Sequence, residues 1–436
     1  MSKIATGIIL AHGTVLFWLA SYERDVEPVI SDQEGAVNYE NHEDSADYFW
    51  DSTQVVQIIL KGNSIEVNSS RAIADGSKVT IVSAGTYSIS GSLLDGQIIV
   101  DAADGDTVRL LLNGLDIQNS TGAPVYILNA LKTIILLAEN TDNHVQDGAV
   151  YQQSTEEPNT AIFSKTDLTI FGDGSLTVDG MYNDGIASKD GLIITNGNIT
   201  VNAADDALHS YTSLLINGGT FAITTGDDGI HADSVLVIEN GNISISESYE
   251  GIESAMITIN GGDIHIVSSD DGLNGAGGRD GSGIDVNGKI EMNGGNVIIH
   301  GPISDMNSAV DYDASFKITG GFLIGAGSSR MAQAPGTGST QCSIQLDFRS
   351  RISAGTLFHI QSSDGMEILT IKPAKDFQSI AFSSPALLQG TVCDVFLGGS
   401  STGEMTDGLY LDGTYTPGSK TASFTISLST TKISIQ

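Results

Sequence analysis

Asn183-Asp184-Gly185-Ile186, Asp205-Asp206-Ala207-Leu208, Asp227-Asp228-Gly229-Ile230, Tyr249-Glu250-Gly251-Ile252 and Asp270-Asp271-Gly272-Leu273 are five renderings of one phrase. The acid in second place recurs at 184, 206, 228, 250 and 271, in steps of 22, 22, 22 and 21 residues. A period of that length marks a solenoid, whose units bury their apolar faces only by stacking on one another. Within each repeat the hydrophobic residues alternate with a period of two, as in Ile199/Val201, Phe221/Ile223, Ile243/Ile245, Ile264/Ile266 and Val297/Ile299. A second set, Leu192/Ile194, Leu214/Ile216, Leu236/Ile238, Ile257/Ile259 and Ile290/Met292, does the same, and Ile186, Leu208, Ile230, Ile252 and Leu273 form a third apolar column. Three short strands per coil, with Asn-Gly corners such as Asn196-Gly197 and Asn240-Gly241 supplying the positive-φ backbone, predict an all-β chain. The architecture expected is a right-handed parallel β-helix of ~22-residue coils. The missing residue of the 21-residue step is expected in a corner between Glu250 and Ile257.

Outward from this stretch, strand patterns begin at Val55, so residues 55–330 are expected to form the solenoid with its N-terminal cap, and 331–436 a C-terminal β cap or small β module. A glycine-rich insertion from Gly275 to Gly288 interrupts one coil. Residues 1–20, apolar behind Lys3, read as a secretory signal peptide or short anchor, and residues 21–54 as an acidic flexible spacer. Beyond that N-terminal segment no stretch suggests membrane insertion, and an extracellular or cell-surface location is the expectation. Cys342 and Cys393 could pair after export or stay reduced, and no Cys/His spacing suggests zinc.

With 53 acidic residues against 19 basic ones the net charge is -34, which disfavours nucleic acid and anionic membranes as partners. In a stack of coils at ~4.8 Å spacing, Asp184, Asp206, Asp228, Glu250 and Asp271 would form a carboxylate ladder, doubled by Asp205, Asp227 and Asp270. Neighbouring charges at that distance repel by about 3 to 4 kcal/mol at an effective dielectric near 20. The side chains must splay into water, keep a proton, or hold divalent cations; Ca²⁺ suits an all-oxygen site best. Lysine and arginine are nearly absent from the ladder, so internal salt bridges are not expected to relieve it.

The runs Ala161-Ile162-Phe163-Ser164-Lys165, Tyr182-Asn183-Asp184-Gly185-Ile186-Ala187-Ser188-Lys189-Asp190, Asp311-Tyr312-Asp313, Met331-Ala332-Gln333-Ala334-Pro335 and Asp407-Gly408-Leu409-Tyr410 closely resemble bacterial carbohydrate-binding domain-containing β-helix proteins. The resemblance covers about residues 55–436. It implies a pectate-lyase-like fold, a cell-surface location, binding of cellulose or acidic sugars such as polygalacturonate, and calcium held at acidic corners. By it, Asp184, Asp205, Asp206, Asp227, Asp228, Glu250, Asp270 and Asp271 are the metal candidates, and no catalytic residue is assigned. Tyr182, Tyr211 and Tyr249 stand near the corners, where rings could stack on pyranose faces.

Lyase chemistry needs a strong base, usually arginine, over a calcium-bound uronate, and the coils between 160 and 330 offer only Arg279 before Arg330. Asp205-Asp206 with His209 and Asp227-Asp228 with His231 superficially suit hydrolysis. Both histidines fall three residues after the acid, however, which suits decoration of a repeat better than a unique active site. The reading is therefore a binding protein rather than an enzyme. A pectate-lyase-like enzyme and a calcium-stiffened structural or adhesive solenoid are the alternatives.

Overall fold

The computed structural model describes residues 42–152, 157–279, 285–286, 288–304, 306–427 and 429–436. The segment read as a signal peptide and residues 21–41 of the expected spacer lie outside them. The described residues contain no α-helix, and hence none long and apolar enough to cross a membrane. They form one large, mostly parallel sheet, a separate six-stranded antiparallel sheet and a two-stranded antiparallel pair, Gly278–Arg279 with Asp285–Val286.

Each repeat contributes three strand segments that pair in parallel with their counterparts one repeat away, the first two running together as one strand in Ile230–Ile238 and Ile252–Ile259. Ile186–Ser188, Leu208–Ser210 and Ile230–Ile238 follow one another in the first ladder, Leu192–Ile194 and Ser213–Ile216 in the second, and Asn198–Ala203, Thr220–Thr225 and Asn242–Ser248 in the third. The register is that of the apolar columns: Ile186 faces Leu208, Leu208 faces Ile230, Ile230 faces Ile252 and Ile252 faces Leu273. All five are fully buried. Burying an aliphatic side chain of this size is worth about 1.5–3 kcal/mol, and the β-branched isoleucines also suit the pleat. Thr220–Thr225 alternates strictly between exposed and buried positions, which is the period-two pattern realised.

The one-residue deletion falls where the ladder slips register, between Ala232/Ser254 and Val235/Met256. The Asn-Gly corners differ in one respect from the sequence reading. Gly197 and Gly241 carry the positive φ as expected, but at Asn217-Gly218, Asn260-Gly261 and Asn293-Gly294 it passes to the next residue, Gly219, Gly262 or Gly295. In each of these five coils the left-handed residue is the glycine immediately before the third-ladder strand, so strand register decides which glycine bends.

Residues 42–54 do not float as a spacer. They form two 3₁₀ turns, Ser45–Tyr48 and Ser52–Gln54, laid against successive coils. Lys132 Nζ meets the buried Asp47 Oδ2 at 2.7 Å, His42 Nδ1 meets Asp167 Oδ2 at 2.8 Å, and Arg109 donates to the Ala46 carbonyl at 2.9 Å. One of the segment's acids, Asp47, docks on a coil cation, Lys132, whereas Arg109 is met by backbone carbonyls and His42 reaches a coil carboxylate, Asp167.

At the far end Phe322–Gly327 closes the third ladder. It pairs antiparallel with Phe377–Ser383, which pairs antiparallel with Ser343–Ile352. The six-stranded sheet packs over these strands around a second core that includes Phe358, Phe377 and Phe382. Cys342 and Cys393 are both free thiols, and burial pushes the Cys393 thiol up to about 11.

Candidate functional site at the acidic corner

The third strand of each coil turns into the first strand of the next at the acidic phrase. Backbone hydrogen bonds stack its outer column, with Asp205 N on Asn183 O at 3.1 Å, Asp227 N on Asp205 O at 3.3 Å, Tyr249 N on Asp227 O at 2.9 Å and Asp270 N on Tyr249 O at 2.7 Å. The inner column, Asp184, Asp206, Asp228 and Asp271 among it, is buried. Glycine follows the acid because the coils touch there. A Cβ on Gly251 would stand 2.3 Å from the Gly272 carbonyl oxygen, and one on Gly229 2.6 Å from that of Gly251. Neither glycine has a positive φ, so the Asp-Gly pair reflects close packing between coils rather than turn geometry.

Relief for part of this ladder comes from the two histidines. His209 Nδ1 lies 3.4 Å from Asp184 Oδ2 and 3.3 Å from Asp206 Oδ2, and His231 Nδ1 lies 3.1 Å from Asp206 Oδ2 and 3.4 Å from Asp228 Oδ2. On their far side both Nε2 atoms face Asp233 Oδ1, at 3.1 and 3.7 Å. The rings stack at 4.5 Å with only 4° between their planes. Burial works against charge on His209, but hydrogen bonds to Asp184 and Asp233 and the charges of Asp184 and Asp206 outweigh it and raise its pKa to about 10. Internal salt bridges, excluded by the scarcity of lysine and arginine, are therefore supplied by imidazole.

One coil further on, the position of His209 and His231 is taken by Glu253, and then by Asn274. There Asp228 keeps only the contact with His231, and among the described residues no lysine or arginine is ion-paired with Glu250 or Glu253. Burial, with the neighbouring charges of Asp206 and Glu253, pushes Asp228 up to about 8; burial and its hydrogen bond with Glu253 push Glu250 up to about 10. Asn274 Nδ2 donates to Glu250 Oε2 at 2.8 Å and to Glu253 Oε2 at 3.2 Å. Asp271 is pushed up to about 7, chiefly by burial, although Ser308 N donates to its Oδ1 at 2.6 Å. Beside it Asp270, only 8% exposed, has a buried Oδ1 with no hydrogen-bond partner. Asp205 is raised to about 6 by burial and by Asp206.

Among the eight expected metal residues, the structure thus gathers Asp205, Asp206 and Asp227 into one group and Asp228 and Glu250 into another with Glu253, in each case with one ligand atom per residue lying within 4.8 Å of the others. Asp184 instead faces His209 and Thr160. Asp233 and Glu253 escaped the sequence reading. For Glu253 the signal was present in the column that runs Ala187, His209, His231, Glu253, Asn274 and Asp311; Asp233 lies outside that column and repeats no such signal.

The tyrosines divide. Tyr182 is 46% exposed and stacks on Tyr151 at 4.4 Å, and Tyr249 is 48% exposed. Tyr211 does not offer an open ring, because His209 stacks on it at 4.3 Å and Lys189 Nζ stands 3.2 Å from its centroid. A cleft of about 310 Å³ opens beside the histidine pair, walled by His231, Asp233, Glu253, Ser254, Ala276 and Gly277.

Comparison with known proteins agrees with the family resemblance. A carbohydrate-binding domain-containing protein of Acetivibrio thermocellus is 42% identical over 129 residues, 29% of this chain, and the match spans 45% of that relative's own length. A solved structure described as a polysaccharide lyase-like protein from C. thermocellum, in a gadolinium derivative, is 31% identical, covering 56% of this chain and 91% of that one with a TM-score of 0.46. The family model for carbohydrate-binding domain-containing proteins matches residues 75–330, more than half of the chain and all of the acidic corner, and the protein belongs to that family.

Proposed function

We propose that the protein is an extracellular, calcium-binding carbohydrate-binding protein, built on a right-handed parallel β-helix, that recognises a polysaccharide without cleaving it. The observation that carries the calcium reading is the un-neutralised half of the corner. Asp228, Glu250 and Glu253 converge there, and among the described residues no lysine or arginine is ion-paired with them. The orphaned Oδ1 of buried Asp270, next to Asp271, marks a second place where an oxygen lacks a partner. Carboxylate oxygens alone make a hard donor set, which fits Ca²⁺ rather than a softer ion.

Calcium bound there would neutralise the corner and accept a uronate carboxylate from the glycan, against the repulsion that a net charge of -34 otherwise imposes. The chain's own contribution is to hold carboxylates at coil spacing and to leave Tyr182 and Tyr249 exposed for sugar faces. The full chain is tested for retention on polygalacturonate and on cellulose, with calcium and with chelator, while unsaturated and reducing ends are followed in the same samples. Retention on polygalacturonate that chelator abolishes, with no new ends, is expected. Product formation would replace the binding reading with an enzyme, and calcium-dependent stability without retention on either glycan would leave a structural solenoid.

A further inference from the structure

We propose that His209, His231 and Asp206 form a site for a divalent transition-metal ion of the zinc type, which shares Asp206 with the oxygen group of Asp205 and Asp227 and is separate from that of Asp228, Glu250 and Glu253. The donor set is two imidazole nitrogens and a carboxylate oxygen. These atoms lie within 4.8 Å of one another, with Asp206 Oδ2 at 3.3 and 3.1 Å from the two Nδ1 atoms. Nitrogen donors of this kind select zinc, copper or nickel, whereas calcium takes oxygen.

The outer contacts of the rings point the same way. A metal-ligating histidine usually donates its other ring N–H to a carboxylate, which fixes the tautomer and leaves the opposite nitrogen's lone pair for the ion. Asp233 is placed to do this for both rings at once, since its Oδ1 faces His209 Nε2 at 3.1 Å and His231 Nε2 at 3.7 Å. The Nδ1 lone pair of each ring is then left toward Asp206 and an ion beside it, with Asp184 and Asp228 oxygens 3.4 Å from those nitrogens as further oxygen donors in reach.

The solenoid supplies what a short zinc motif supplies elsewhere. Ligands 22 residues apart become neighbours because His209 and His231 pair directly across the first ladder, so no local Cys/His spacing is needed. Metal–nitrogen bonds of ~2.0–2.1 Å require the parallel rings, now 4.5 Å apart, to tilt toward a common ion. His231 and Asp233 line the cleft of about 310 Å³, which gives the ion a route in and leaves a coordination position open to water or ligand.

The test uses the chelator-stripped full chain, refilled with excess Ca²⁺ and titrated with Co²⁺ and then Zn²⁺. One equivalent of Co²⁺ is expected to bind with the visible absorption of nitrogen–oxygen coordination, to resist Ca²⁺ and to be displaced by Zn²⁺. Zn²⁺ should move the side-chain resonances of two of the eight histidines. The double substitution His209→Asn with His231→Asn should lose that equivalent and keep the calcium-dependent thermal shift. Asp233→Asn, at a more exposed position, should keep it with affinity lowered roughly 10–100-fold. No bound equivalent in the native chain, or undiminished Co²⁺ binding by the double variant, overturns the proposal. Neither result depends on glycan binding.

Discussion

Two pairs of histidines among the described residues meet ring to ring, and their surroundings push the imidazole pKa values in opposite directions. His209 and His231 stack in parallel among Asp184, Asp206, Asp228 and Asp233. His265 and His300 meet edge to face, with centroids 5.3 Å apart, at the seam between the last coils and the six-stranded sheet. At that seam His300 Nδ1 accepts from Ala374 N at 3.3 Å and its Nε2–H donates to the Asp407 carbonyl at 3.1 Å, which fixes one neutral tautomer. Burial holds the pKa of His300 down at about 4 and lowers that of His265 too, while neighbouring Lys375 adds to the disfavour at His300. Both pairs are largely buried. What separates them is that several carboxylates surround the first pair, whereas the seam pair has one, Asp407 Oδ1 at 3.6 Å from His265 Nδ1, beside the backbone partners of His300.

The largest effect expected on this contrast comes from Asp206→Ala. Asp206 Oδ2 is shared by both imidazoles and its Oδ1 accepts from Asp228 N at 3.0 Å. Removing it leaves a buried N–H without a partner and takes from two facing imidazoles the shared carboxylate that favours their charged form, a loss of about 3–5 kcal/mol. Asp206→Asn keeps an acceptor for Asp228 N and should cost about half as much. Chemical unfolding of the chelator-stripped chain measures both. Equal and small losses would mean that the two rings carry no charge.

Next in size is the acid response of the seam. His300 has a folded pKa of about 4, below its ordinary 6.5, so the unfolded chain binds more protons between those values. Its contribution is complete above pH 6.5 and is lost as pH falls toward 4, about 3 kcal/mol in all. His300→Gln should flatten this part of the stability–pH curve. Side-chain nitrogen shifts read the same contrast without unfolding, His300 staying neutral at pH 6 and His209 staying protonated at pH 8 in metal-free protein. A His209 that titrates near its ordinary value would remove the distinction between the two pairs.

The ladders were legible in the sequence because stacking depends on nothing but periodic apolar residues, and Ile186, Leu208, Ile230, Ile252 and Leu273 declare their period openly. The acidic columns were legible for the same reason. Neutralisation was not, because it depends on which residue type fills one outward column, and that column changes from His231 to Glu253 while Ile230 beside it still faces Ile252. The seam histidines were invisible for another reason. His300 takes its partners from residues 374 and 407, which lie 74 and 107 positions away and obey no repeat.

Asp233→Asn gives the smallest effect and the sharpest division within the acidic corner. Asp233 faces the same two rings as Asp206, but its side chain is 44% exposed where that of Asp206 is 8%. Water and salt therefore screen it, and an amide oxygen can still accept from His209 Nε2, so the loss should be about 0.5–1 kcal/mol. That loss should shrink as salt is added, while the loss from Asp206→Ala should not. Unfolding both variants at low and high ionic strength measures the difference. A salt-insensitive Asp233 would mean that the outer carboxylate is as integral to the pair as the inner one, and that the imidazoles are gripped equally from both sides.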